Sequence, residues 1–132
     1  MFKGSPGENA KVATKATGDA AESRAAAWLQ ARGLTLIERN YRVARGRGAR
    51  GGEIDLILRD RDGTLVFAEV RARASASAGG AGASVSAVKQ QRIVFAAQHY
   101  LLRFATPPPC RFDVVTLDGD RLEWLPAAFD AG

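Results

Sequence analysis

The chain has 132 residues, enough for one domain around one hydrophobic core. Hydrophobic residues make up 46% and charged residues 25%, an ordinary globular balance, and the single cysteine, Cys110, excludes an internal disulfide and any cysteine-cluster metal site. Nineteen Lys and Arg against fourteen Asp and Glu leave a formal net charge of +5, which favours a polyanionic partner; a GC-rich coding bias accounts for the arginines equally well.

No run approaches the ~18 apolar residues of a membrane span, and the start lacks the apolar segment of a signal peptide. The expected location is therefore the cytoplasm, with no membrane partner. Residues 1–16 are small and polar without periodicity and read as a disordered tail, leaving 17–132 as a single domain. Thr17 or Gly18 is the predicted start of a first helix, with Asp19 and Glu22 in its first turn. Ala21, Ala25, Trp28 and Leu29 follow helical spacing, and Gly33 ends the helix. Glu22 falls at the edge of the inward face. It is either a carboxylate complementing the helix dipole or a member of a site.

Leu34 to Arg39 reads as a short strand. The following loop, Asn40 to Gly52, carries Arg42, Arg45, Arg47 and Arg50 among glycines. It is either a solvated loop or a phosphate-binding arm. Gly52 to Arg73 reads as a hairpin turning at Asp60–Gly63. Strict alternation places Ile54, Leu56 and Leu58 on one face of its first strand and Glu53, Asp55 and Ile57 on the other. In its second strand Leu65, Phe67, Glu69 and Arg71 share a face. Both strands are apolar on both faces, as in a sheet covered on two sides. Residues 74–84, ASASAGGAGAS, read as a mobile loop. A second helix is predicted from a Ser84 or Ser86 cap to about Phe104, with Ile93, Ala97, Tyr100, Leu101 and Phe104 as its apolar stripe and Lys89 at its inward edge. His99 reads as a surface or half-buried structural residue. Strands follow at Arg111–Leu117 and Arg121–Leu125, and Phe129 is expected to pack on the sheet. The order helix, three strands, helix, two strands predicts an α/β fold: a mixed five-stranded sheet flanked by helices.

The awkward residues are Asp55 and Glu69, carboxylates where core strands prefer apolar groups. A three-residue loop, Arg61-Asp62-Gly63, pairs Asp60 with Thr64 and sets Asp55 opposite Glu69, with Cβ atoms ~5 Å apart on one face. A two-residue loop would separate them. Two carboxylates so placed repel by on the order of 4 kcal/mol at 4 Å and an effective dielectric near 20. A proton, a cationic side chain such as Arg71 or a hard divalent cation offsets this. Oxygen ligands without Cys or His suit Mg²⁺ or Mn²⁺. A metal so held supports in-line displacement at phosphorus, with a basic neighbour stabilising the developing charge.

Several stretches together carry a family resemblance: Gly18 and Glu22 in the first helix, then Glu38-Arg39-Asn40-Tyr41-Arg42. They continue through Gly52-Glu53-Ile54-Asp55-Leu56-Ile57, Leu65 to Arg73, Lys89-Gln90 and Arg111-Phe112-Asp113-Val114-Val115. On these residues the chain resembles the YraN family, bacterial proteins placed near the Holliday-junction resolvases in the PD-(D/E)XK nuclease-like superfamily. The resemblance implies a restriction-endonuclease-like core, with Glu22, Asp55 and Glu69 as metal ligands and Asp55, Glu69 and Arg71 as the catalytic set. Arg71 departs from the pattern, which has lysine there; an arginine holds phosphate charge but stays protonated and is no general base. The implied function is Mg²⁺- or Mn²⁺-dependent, structure-selective cleavage of branched or duplex DNA. Arg42, Arg45, Arg47, Arg50, Arg73 and Lys89 would contact the backbone, and a homodimer follows by analogy with symmetric resolvases. The alternative is an attenuated nuclease fold acting as a non-enzymatic nucleic-acid-binding or protein-interaction module.

Overall fold

The computed structural model of the chain describes residues 6–44, 46, 51–73 and 85–131; for residues 6–17 and residue 73 it describes the backbone. The order is α1 (Pro6–Ala31), β1 (Thr35–Val43), β2 (Gly52–Arg59), β3 (Leu65–Arg73), α2 (Ala87–Leu101), β4 (Cys110–Asp118) and β5 (Arg121–Phe129). The five strands lie in sequence order in one mixed sheet: β3 and β4 are parallel, with α2 as their crossover, and the other neighbours are antiparallel. This is the restriction-endonuclease-like α/β arrangement that the sequence predicts. Among the described residues no helix is long and apolar enough to cross a membrane.

Four element boundaries differ from the sequence reading by three residues or more; one is the end of α2, at Leu101 and not near Phe104. Helical backbone begins at Pro6, not at Thr17 or Gly18, so 6–16 of the expected tail is helix, while residues 1–5 lie outside the described residues. The reason is local: proline is well placed in a first turn, and the Ala-, Lys- and Glu-containing stretch after it favours helix without needing an apolar stripe. β1 continues through Tyr41 and Val43 into the stretch read as loop, because Tyr41 and Val43 pack into the core. β5 runs on to Phe129, whose ring stacks on Phe112 at 5.1 Å. The predicted mobile loop, 74–84, lies outside the described residues.

The sheet separates two apolar layers. α2 covers one face, where Ile93, Ala96, Ala97 and Tyr100 pack on Ile54, Ile57, Leu65, Phe67, Phe112 and Val114. α1 covers the other, where Ala21, Ala25, Ala26 and Leu29 pack on Leu56, Leu58, Val66, Ala68 and Val115. Gly33, at φ 100°, closes α1, with the Leu34 N–H returning to the Leu29 carbonyl. At Gly52 α2 lies directly on the strand. A Cβ there would collide with the Arg92 carbonyl oxygen and come within 2.9 Å of the Ala96 nitrogen.

The strict alternation expected along β2 fails at one point. Ile54 packs with α2, as Ile57 does, while Leu56 and Leu58 pack beneath α1. The strand changes faces at Asp55, and β1 changes with it. Tyr41, opposite Ile54, packs with α2, whereas Arg39, opposite Leu56, reaches the α1 residues Ser23 and Glu22. Between these rungs Asn40 has a positive φ of 54°, a conformation asparagine tolerates better than most residues. The coupled distortion lies where Asp55 leaves the ladder with β3.

Candidate functional site

The hairpin has the odd loop that the site requires. Asp60 N–H donates to the Thr64 carbonyl at 2.9 Å, Gly63 N–H donates to the Asp60 carbonyl at 3.0 Å, and Gly63 has φ 92°. The ladder then runs Arg59↔Leu65, Leu58↔Val66, Ile57↔Phe67 and Leu56↔Ala68. One rung further Asp55 and Glu69 would pair, and there the ladder stops. β2 stays with β1 as far as Gly52, and β3 stays with β4 as far as Arg73, so the sheet forks between them.

Asp55 bridges the fork: its Oδ2 accepts from the Val70 N–H at 2.9 Å. Glu69, 5% exposed, faces the α2 layer, where Lys89 Nζ lies 3.2 Å from its Oε2. Ser86 sets the position of Lys89, because its hydroxyl caps α2 by accepting the Lys89 N–H at 3.1 Å. Glu69 Oε1 is buried with no hydrogen-bond partner among the described residues. Burial pushes the Asp55 carboxyl up to about 7; the Glu69 charge adds to this, while the Val70 N–H and Lys89 oppose it. Near neutrality the Asp55 carboxyl is therefore only partly ionised, and its proton, when present, is what can bond Glu69 in place of a cation. Glu69, Arg71, Ser86 and Lys89 line a cavity of about 530 Å³ beside the pair.

Glu22 does not complete a three-carboxylate cluster. α1 lies across the sheet from α2, so Glu22 approaches from the layer opposite Glu69 and Lys89. It meets Arg39 Nη2 at 3.5 Å, and its carboxyl is raised, first by burial and then by the Asp55 charge. Among the described residues no group of three or more His, Cys, Asp or Glu is gathered closely enough to hold a metal. The pair itself fits a hard cation in its donor chemistry. It offers two carboxylates and an orphaned buried oxygen, and Mg²⁺ commonly takes only one or two protein carboxylates.

Among the residues assigned to the nucleic-acid backbone, Lys89 belongs to the carboxylate site itself and Arg42 pairs with Glu53 at 3.6 Å. Arg45, Arg47 and Arg50 lie outside the described residues, as does the side chain of Arg73. Sequence reasoning gave no site role to Arg39, Asn40, Ser86 or Arg92, which surround or support the site. Only Ser86, three residues before Lys89, carried a readable signal, that of a helix cap. His99 is exposed, and its Nδ1 shares a 2.7 Å hydrogen bond with the Tyr41 hydroxyl.

Replacing Lys89 by Met should destabilise the protein by about 1–2 kcal/mol at neutral pH, since the buried Glu69 loses the ion-pair partner it has among the described residues while the partial exposure of the ammonium limits the loss. Urea denaturation checks this, and an unchanged midpoint would show that the pair carries no weight in the fold.

The family profile described as "Uncharacterised protein family UPF0102" matches residues 21–117. A UPF0102 protein of Methylibium petroleiphilum is 69% identical over 120 residues, covering 91% of this chain and 98% of its own length. A UPF0102 protein of Paracidovorax citrulli is 66% identical over 129 residues, covering 98% and 93%. One from Cupriavidus taiwanensis is 56% identical over 117 residues, covering 89% and 85%.

Proposed function

The chain belongs to the UPF0102 family, and from that membership and its nuclease-like fold we propose that it is a metal-dependent endonuclease acting on phosphodiester bonds of branched or duplex DNA. The observation that carries the reading is the meeting of Asp55 and Glu69 at the fork of the sheet, with one oxygen of Glu69 buried and unpartnered among the described residues. A plain core would not retain two repelling carboxylates there. Asp55 and Glu69 would hold Mg²⁺ or Mn²⁺, which supplies Lewis acidity toward a phosphoryl oxygen and an acidified water.

The chain's own groups supply the remainder. The Val70 N–H fixes the Asp55 carboxylate, and Lys89 fixes that of Glu69. Arg71 and Lys89 line the cavity beside Glu69 and bring positive charge to bear on a phosphodiester as negative charge develops on its oxygens. Arg71 orients and neutralises; it does not move protons. Glu22 stands behind the pair, feeling the Asp55 charge and holding Arg39. By analogy with junction resolvases the acting species on branched DNA is a symmetric dimer.

A second reading rests on Arg71 in the lysine position and on Lys89 already neutralising Glu69. In that reading the fold binds nucleic acid without cleaving it.

Branched, duplex and single-stranded DNA offered with Mg²⁺ or Mn²⁺ separate the two. The endonuclease reading expects nicking of branched or duplex DNA by the native protein, and its loss in Asp55→Ala with binding retained. Cleavage by Asp55→Ala at the native rate overturns it. No cleavage by the native protein, with activity appearing in Arg71→Lys, establishes the binding module instead.

A further inference from the structure

We infer that the groove between the start of β2 and α2 is a second phosphate subsite, in which Arg42 and Arg92 take a backbone phosphate next to the one at the Asp55–Glu69 site. This deepens the nucleic-acid reading above and rests on it. The groove has a volume of about 670 Å³, with Arg42, Arg92 and Glu53 around a floor that includes Gly51 and Gly52. Both guanidiniums are held by the one Glu53 carboxylate. Arg92 Nη2 lies 3.3 Å from Oε1 and Arg42 Nε lies 3.6 Å from Oε2. Two cations on one anion leave a surplus positive charge facing the groove. Both contacts exceed the ~2.7–2.9 Å of a strong charge-assisted hydrogen bond. Neither arginine is saturated, and Arg92 Nε has no partner among the described residues. Glu53 orients the two forks without filling them, and a guanidinium fork matches a phosphate.

The position argues for the same strand of nucleic acid. Arg92 follows Lys89 by three residues, about 4.5 Å along α2, and Glu53 precedes Asp55 by two, about 6.6 Å along β2. The acid–base pair Glu69–Lys89 is thus repeated one helical turn further on as Glu53–Arg92. Steps of about 4.5 and 6.6 Å exceed the ~3.4 Å axial rise per phosphate of one strand, as the spacing between successive phosphates on a winding backbone also does. Gly52 makes the repeat possible, because any side chain there would push α2, and Arg92 with it, off the strand. The contact is to backbone, so it positions without reading sequence.

The test is a titration of a short DNA duplex, without divalent metal, over a series of salt concentrations. The native protein is compared with the Arg42→Gln/Arg92→Gln and Glu53→Gln variants and with Arg103→Gln, an arginine that packs over the Tyr100 ring. Losing one phosphate contact should make the log–log salt slope shallower by about 0.9 and weaken binding about tenfold at low salt in the double variant. Arg103→Gln should leave both unchanged. Glu53→Gln should bind more tightly than native, since it loses an anion from the groove. An unchanged slope in the double variant overturns the subsite, as does Glu53→Gln weakening binding as much as the double variant. Failure of the endonuclease reading shows separately, as absent cleavage when Mg²⁺ or Mn²⁺ is supplied, with the metal-free salt-slope change intact. No binding by any protein overturns both.

Discussion

An Asp55→Asn protein is expected to be inactive and, without metal, more stable than the native chain by on the order of 3 kcal/mol at about pH 8. In the folded chain burial and the Glu69 charge push the Asp55 carboxyl up to about 7, whereas an unfolded aspartate titrates near ~3.9. Between those values the unfolded chain releases a proton that the folded chain keeps. Native stability therefore falls as the pH rises from about 4 to about 7 and levels off above. Asparagine removes this dependence and still offers an oxygen to the Val70 N–H. The gain should vanish below about pH 4 and grow through the interval. Thermal melts in chelator across that range measure it, and equal stability of the two proteins throughout would overturn the account. Added Mg²⁺ should raise the native melting temperature with the logarithm of its concentration once that exceeds Kd, and leave Asp55→Asn unmoved. Cleavage should fall by ~10³-fold or more, the several kcal/mol expected of a lost metal ligand. A residue whose removal stabilises the fold and abolishes the chemistry is retained for function.

Asp113 stands at the opposite pole. Asp113→Ala should cost about 3–5 kcal/mol, enough to threaten folding in a domain of this size. Asp113 is fully buried on β4. It accepts from Arg111 Nε at 3.0 and 3.2 Å, from Trp124 Nε1 at 2.9 Å and from the Ala127 N–H at 2.8 Å. Ala127 has φ 50°, so this bond also holds a strained turn of backbone in β5. Arg111 reaches on to Asp60 at 2.9 Å, tying the hairpin turn to the same network. Alanine would strand the Trp124 and Ala127 donors and leave Arg111 with one partner of two. Asp113→Asn, which keeps an acceptor, should cost less. Urea midpoints with unchanged slope would report the difference; a loss under about 1 kcal/mol in Asp113→Ala would show that the network is dispensable.

Short-range information was enough for much of this protein. The order of elements follows from apolar periodicity and glycine stops; the loop length does not, because Asp62-Gly63 suits a two-residue turn as well as the three-residue one the hairpin adopts. Register is local: once the loop length is known, Asp55 must approach Glu69. Lys89 could be placed at the inward edge of its helix by counting turns from Ile93.

The rest depends on which surfaces meet, and no local pattern encodes that. Alternation assigned Ile54 to the wrong layer because it assumes an unbroken period of two, whereas β1 and β2 change faces together at Asn40 and Asp55. Helical spacing turned Glu22 inward but could not say that α1 lies on the sheet face opposite Lys89, which is why Asp55 and Glu69 meet as a pair and not as a trio with Glu22. Arg92 joined Glu53 only because Gly52 lets α2 rest on the strand backbone. The sequence by itself determined the elements and the two carboxylates. The tertiary structure decided what faces them, because the packing of two helices on opposite sides of a sheet is settled by contacts between residues far apart in the chain.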